Sequence, residues 1–295
     1  MKHITNGWFN GLIGVLIFSG SLPATRVAVA DFDPIFLTSA RATIAGALAL
    51  LLLLLLRAPR PARSDLAALA VMALGVVVGF PLFSALALQD ITAGRSLVFI
   101  GLLPLSTALF GVLRGGERPS APFWLFALLG SACVAGFALT QDAAASLRGD
   151  LLMLVAIVAC GYGYAEGGRL SRRLGGWQVI CWALVLSLPL MAALSLFTQP
   201  PTWHQIGIPA WISLAYISLF SMLIGFVFWY RGLAQGGIAA VGQLQLLQPF
   251  MGLMLAAVLL HESVGWPMLA TTMAVVLCVA GARRYSHPPP ARVAS

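Results

Sequence analysis

Residues 102–118 read LLPLSTALFGVLRGGER, and residues 247–263 read LQPFMGLMLAAVLLHES. In each stretch a proline stands inside an apolar run and a glutamate closes the run 13 residues later: Pro104 to Glu117, then Pro249 to Glu262, the two copies lying 145 residues apart. Proline inside a helix removes one backbone hydrogen bond and weakens the helix there. A chain written twice in this way, with one weakened helix per half, predicts a duplicated bundle whose binding site sits where the halves meet, near the midplane of a bilayer.

Composition supports a membrane setting. Hydrophobic residues make up 60% of the chain and charged residues 9%, and mean hydropathy is +0.95, so in water the fold would expose large apolar patches. A formal charge of +8 raises the question of nucleic acid, but the basic residues fall in short clusters between apolar runs, the pattern of topogenic loops; nucleic acid is not an expected partner. Cys133, Cys160, Cys181 and Cys278 all lie inside apolar runs and read as small packing residues, neither disulfides nor metal ligands. The first apolar run, from about Gly7 to Val29, is long enough to span and reads as a helix of the fold, not a cleavable signal.

Apolar runs of about 20 residues between breakers predict ten transmembrane helices. They cover 7–29, 34–56, 65–88, 91–113 and 122–140 in a first repeat over 1–141, then 149–170, 176–197, 207–230, 236–260 and 264–284 in a second over 142–285. Residues 286–295, with Pro288, Pro289 and Pro290, read as a disordered cytoplasmic tail. With a cytoplasmic N-terminus, 13 of the 17 basic residues face inward, leaving Arg26, Arg41, Arg95 and Arg148 toward the outside. The positive-inside rule selects that orientation, with both termini inside. Five spans per half then make the second repeat enter from the opposite face, so the expected fold is an all-α integral membrane protein built from two inverted five-helix repeats.

With these features the chain resembles the drug/metabolite transporter superfamily, in its ten-helix EamA-type branch. The resemblance rests on Leu102-Leu103-Pro104 with Glu117-Arg118, on Phe18-Ser19-Gly20-Ser21 and Ala40-Arg41, and on Leu247-Gln248-Pro249 with His261-Glu262 in the second half, where Gly281 takes the place of Gly136. Ser263 departs from the pattern set by Arg118, as an outside position explains. Nearly the whole chain takes part. The resemblance implies a carrier, is nearest to bacterial inner-membrane exporters of amino acids, aromatic ones in particular, and brings Ser19 into the expected substrate site.

The residues themselves narrow the chemistry. No Asp or Glu lies near the centre of a predicted span, so the buried carboxylate of a proton-coupled carrier has no obvious candidate. Glu166, close to Arg169, reads as half of an ion pair at the cytoplasmic interface. Nothing resembles a nucleophile with its base, a metal cluster or a phosphate loop, so neither an enzyme nor a cofactor is expected. Arg41 lies roughly 10 Å below the outer surface at 1.5 Å per residue. Either backbone carbonyls and the acidic pair Asp31 and Asp33 satisfy it, or it selects a substrate carboxylate.

Helix 9 carries Gln243, Gln245 and Gln248 close to the midplane. Gln245 and Gln248 share a face and are expected to meet substrate, while interhelical packing is the competing role. Pro249 would leave the Gln245 carbonyl without its helix donor. Seven of the eight tryptophans map to interfacial belts, Trp229 among them; Trp182 lies deeper and, with Tyr162, Phe80, Phe83 and Phe99, is a candidate aromatic contact. Gly75 and Gly79 read as a close-packing pair on helix 3. Pro104 and Pro249 are the expected hinges.

The function expected from these residues is export of small, mostly apolar zwitterions, amino acids above all, by alternating access, with a small-molecule substrate and the lipid bilayer as the partners of a monomer. A multidrug or metabolite exporter is the alternative within transport, and a membrane scaffold or receptor is the alternative outside it.

Overall fold

In a computed structural model the described residues, 2–91, 93–141, 146–252 and 266–286, are helical with short connections. They form ten spans. The first half holds α1 (Lys2–Ser19, continued by Ser21–Ala28), α2 (Pro34–Leu55), α3 (Arg63–Asp90), α4 (Ala93–Ile100, resumed at Leu103–Gly115) and α5 (Ala121–Gln141). The second holds α6 (Leu147–Leu174), α7 (Gly176–Phe197), α8 (Ile208–Gly236), α9 (from Ile238) and α10 (Trp266–Arg284). Six of these are long and apolar enough to cross a membrane among the described residues. The outward faces of the bundle carry Leu54, Leu55, Leu113, Leu190, Phe197 and Leu277, all more than half exposed, a surface that only lipid can cover without cost. Glu262, His261 and the proline-rich tail lie outside the described residues.

Packing follows a pseudo-twofold. Helix pairs related in this way are α1 on α8 and α6 on α3, which exchange under the repeat, and α2 on α7, α5 on α10 and α4 on α9, which map onto themselves; α4 also packs extensively on α6. The first helix of each half thus packs on the third helix of the other. The halves run in opposite directions: α1 begins beside the end of α8, where a Cβ on Gly7 would sit 2.6 Å from the Gly236 nitrogen, whereas α6 begins beside the end of α3, where Arg148 meets Asp90 at 3.3 Å. Close approach along α1 and α8 depends on four glycines, since a Cβ on Gly232 would meet the Gly11 nitrogen at 2.7 Å. Gly75 plays the same part on α3, its missing Cβ leaving room for the Ala159 carbonyl.

Four helices leave α geometry at related places. α3 carries a π turn over Leu74–Gly79 and α8 another over Ile217–Ile224. α4 stops at Ile100 and restarts at Leu103, while α9 tightens to 3-10 geometry over Gln243–Leu247. The expected kink at Pro104 is therefore a break, with Pro104 in the first turn of the resumed helix, where its missing N–H leaves no bond unmade. At Pro249 the 3-10 turn solves the same problem differently: the Gln248 N–H donates to the Gln245 carbonyl, so that carbonyl is not left bare as the helical pattern implied. Irregular backbone of this kind survives at membrane depth only where protein buries it or a cavity borders it.

Candidate functional site

Those irregular segments surround a central cavity. Its walls are Phe18, Ser21, Leu22 and Thr25 from α1, Arg41 from α2, Val76, Phe80, Pro81 and Ser84 from α3, Ile100 and Leu103 from α4, Tyr164 from α6, Ser221 and Phe226 from α8, and Gln248 from α9. Both halves contribute. The cavity is narrow, with a volume of about 30 Å³. That is room for roughly two waters at 10–15 Å³ each, so the walls must part to admit an organic solute.

One side of the cavity is aromatic. Phe18 lies 5.0 Å from Phe226 between ring centroids, and Tyr164 lies 5.9 Å from Phe226 and 5.3 Å from Trp229. Trp229 is fully buried in this cluster, which corrects its assignment to an interfacial belt: α8 runs on to Gly236, six residues past the expected end at 230, and so places Trp229 about 10 Å from the helix end at 1.5 Å per residue. Trp203 and Trp211 do form a stacked pair at their interface, 5.8 Å apart.

The other side is polar. Ser21 Oγ donates to Ser221 Oγ at 2.7 Å, joining α1 to α8. Arg41, 6% exposed, reaches the Ile217 carbonyl and Ser221 Oγ, each at 3.4 Å, and its Nε has no partner among the described residues. The Asp31 and Asp33 pair that was to neutralise it is engaged elsewhere. Asp31 accepts from the Gly207 N–H at 2.8 Å, and Asp33 caps α2 through the N–H groups of Ile35 and Phe36. Gln248 Nε2 donates to the Phe18 carbonyl at 3.3 Å.

Of the residues singled out in the sequence, Arg41, Phe80 and Gln248 meet in this cavity. Gln245 is fully buried, its side chain within reach of the Tyr164 hydroxyl that lines the cavity, whereas neither amide atom of the fully buried Gln243 has a partner among the described residues. Tyr162 points away, its ring 5.1 Å from Phe110 and under Arg114, because two residues along a helix turn about 200° from Tyr164. Trp182 packs half-buried on the core from α7, Phe99 is buried within it and Phe83 is half-buried, none of them lining the cavity. Ser19 turns its hydroxyl back to the Val15 carbonyl at 2.8 Å. Tyr164, Phe18, Phe226 and the serines were missed. A signal existed for α1, since Phe18, Ser21, Leu22 and Thr25 follow the i, i+3, i+4, i+7 spacing of one helix face.

Ion pairs tie the arginine-rich end below the aromatic cluster. Glu166, fully buried, pairs with Arg114 and, at 2.8 Å, with Arg169; Arg173 pairs with Asp65. Glu117 does more than mark the repeat. Its two carboxylate oxygens accept the first backbone N–H groups of α9, from Ile238 and Ala239, both at 2.7 Å, and one also takes Arg172 at 2.7 Å. Gly237, at φ +92°, makes the turn that aims these donors. At the opposite end Arg95 grips Asp150 with two bonds of 2.9 and 2.7 Å, and Arg26 reaches the Leu88 carbonyl.

A duplicated, inverted helical bundle closed around a mixed aromatic and polar cavity has the architecture of a membrane carrier. The profile of the EamA-like transporter family matches twice, over residues 5–139 and 147–283, and the chain belongs to that family, whose members are transporters and not enzymes. It is 68% identical over 286 residues to the uncharacterized transporter YdeK of Bacillus subtilis (strain 168), covering 97% of this chain and 100% of that protein. An uncharacterized transporter of Synechocystis sp. is 24% identical over 89% of this chain and 86% of its own length. A solved crystal structure superposes with a TM-score of 0.77 at 19% identity, covering 94% of this chain and 97% of that one, which supports the fold.

Proposed function

We propose that the protein exports amino acids with apolar side chains, aromatic ones in particular, across the bacterial inner membrane. The observation that carries this reading is the two-sided cavity: Phe18, Phe80, Tyr164 and Phe226 offer faces that bury an apolar side chain, while Arg41, Ser21, Ser221 and Gln248 offer hydrogen bonds to its polar end. Binding walls drawn from both halves suit alternating access, with residues 1–141 rocking against 142–285 about the irregular stretches near Pro104 and Pro249. The distribution of basic residues supports an orientation with both termini in the cytoplasm, and the proposed working unit is a single chain in lipid. Efflux of radiolabelled phenylalanine, leucine, glutamate and a lipophilic cationic drug from preloaded proteoliposomes tests it. Phenylalanine and leucine should leave faster than the others; preferential efflux of the drug would replace this reading with drug export.

A further inference from the structure

The reading of the cavity as the substrate site leaves open which part of the substrate is obligatory, and Arg41 answers it. Every described carboxylate has another partner. Asp65, Asp90, Asp150, Glu117 and Glu166 pair with arginines, while Asp31 and Asp33 accept from backbone N–H groups. Arg41 is thus a guanidinium buried in the bilayer-spanning region with no counter-ion among the described residues, and its two contacts, at 3.4 Å, lie beyond the usual 2.7–3.2 Å range. The Ser21 and Ser221 hydroxyls share one hydrogen bond, which uses one of their two protons and leaves the other to be donated. Arg41 and Ser221 both line one cavity, Arg41 Nε–H has no partner among the described residues, and the lining contains no acidic side chain.

We infer that the protein's obligatory ligand feature is a single carboxylate, seated on Arg41 and Ser221, and that the ammonium group of an amino acid is dispensable. A planar carboxylate matches the guanidinium fork and supplies the missing charge, and one arginine neutralises one anion. No lining group offers an ammonium a counter-charge, and Arg41 repels a cation. The ligand class is thus wider than amino acids: aryl- and alkyl-carboxylates lacking the amine fit the same site.

The test uses the purified full-length protein in detergent and four probes: phenylalanine, 3-phenylpropionate, phenylalaninamide and 2-phenylethylamine. Isothermal titration should find 3-phenylpropionate binding within tenfold of phenylalanine, with the amide and the amine at least tenfold weaker. Arg41→Gln should lower carboxylate affinity at least tenfold, Arg41→Lys less, and Ser221→Ala severalfold, each compared with the parent by melting temperature. Should Arg41→Gln fail to fold, the probe series on the parent and Ser221→Ala still decide. Binding of the amine or amide as tight as the carboxylates, loss of 3-phenylpropionate binding alone, undiminished affinity in a folded Arg41→Gln protein, or no binding of any probe overturns the inference. Carboxylates that bind through Arg41 yet do not move in proteoliposomes would leave it standing and sink the export reading instead.

Discussion

Gln243, Gln245 and Gln248 differ in what surrounds their amides, and that difference predicts how each responds to replacement. Gln248 lines the cavity and holds the Phe18 carbonyl, so Gln248→Leu removes a polar contact and should raise the half-saturation concentration for substrate about tenfold in proteoliposome assays. Gln243 is buried with no partner for either amide atom among the described residues; Gln243→Leu removes that unmet polarity and should keep transport while adding about 1–2 kcal/mol of stability in thermal unfolding. A destabilised Gln243→Leu protein would show that its amide is paired after all. The tyrosines give a second contrast. Tyr164→Ala should weaken aromatic substrates roughly three- to tenfold relative to small ones, as expected from about 0.5–1.5 kcal/mol per aromatic contact, whereas Tyr162→Ala should not change that ratio. Arg41 was legible in the sequence because a cation seven residues into an apolar helix demands a reason. Tyr164 was not, because Gly161 to Tyr164 alternates glycine and tyrosine and nothing in a single sequence says which ring turns inward.

Among the elements, the ten spans were legible because apolar runs of bilayer length between breakers leave few alternatives, and the described helix ends fall within four residues of the expected bounds except that α1 starts five residues earlier and α8 runs six residues further. The π turns of α3 and α8 were not. A π turn shifts the helix register by about one residue, and runs with so few polar residues, none in 74–79 and only Ser218 and Ser221 in 217–224, carry no polar stripe long enough for its shift to show. Their consequence is large: they set which residues after them, Phe80, Pro81 and Ser84 on α3 and Phe226 on α8, face the cavity. Glu117 shows the opposite case, a residue recognised from its spacing whose task appears only in three dimensions, as the cap that binds the first repeat to the start of α9. Glu117→Ala strips two helix donors of their acceptor and frees Arg172, and by analogy with lost helix caps should cost about 1–2 kcal/mol. Glu117→Gln, which keeps a single acceptor oxygen, should cost less. Melting temperatures of the two variants, read against the parent, check the order; equal loss would mean the charge matters more than the geometry.

For the whole molecule, the inverted packing of α1 on α8 and α6 on α3 gives each half the same relation to the other while letting the two ends of the cavity differ in charge. Topology follows. Cysteines introduced at Arg60, Glu117 and Arg172 should be labelled only by a permeant thiol reagent in intact cells if the proposed orientation, which puts the basic excess inside, holds; labelling by an impermeant reagent would invert the orientation. The energetic consequence is sharper still. A carrier driven by protons needs a group that takes up and releases one as the cavity changes sides, and such a group must meet the cavity. Here the lining holds no carboxylate or histidine, and Glu166, the one fully buried acid among the described residues, lies outside the lining and is tied to Arg114 and Arg169. Exchange of phenylalanine across proteoliposomes should therefore persist when a protonophore collapses the pH gradient, and an imposed gradient should not concentrate substrate. Accumulation that follows the pH gradient and disappears in Glu166→Gln would identify Glu166 as the titrating group and show that its ion pairs open during the cycle.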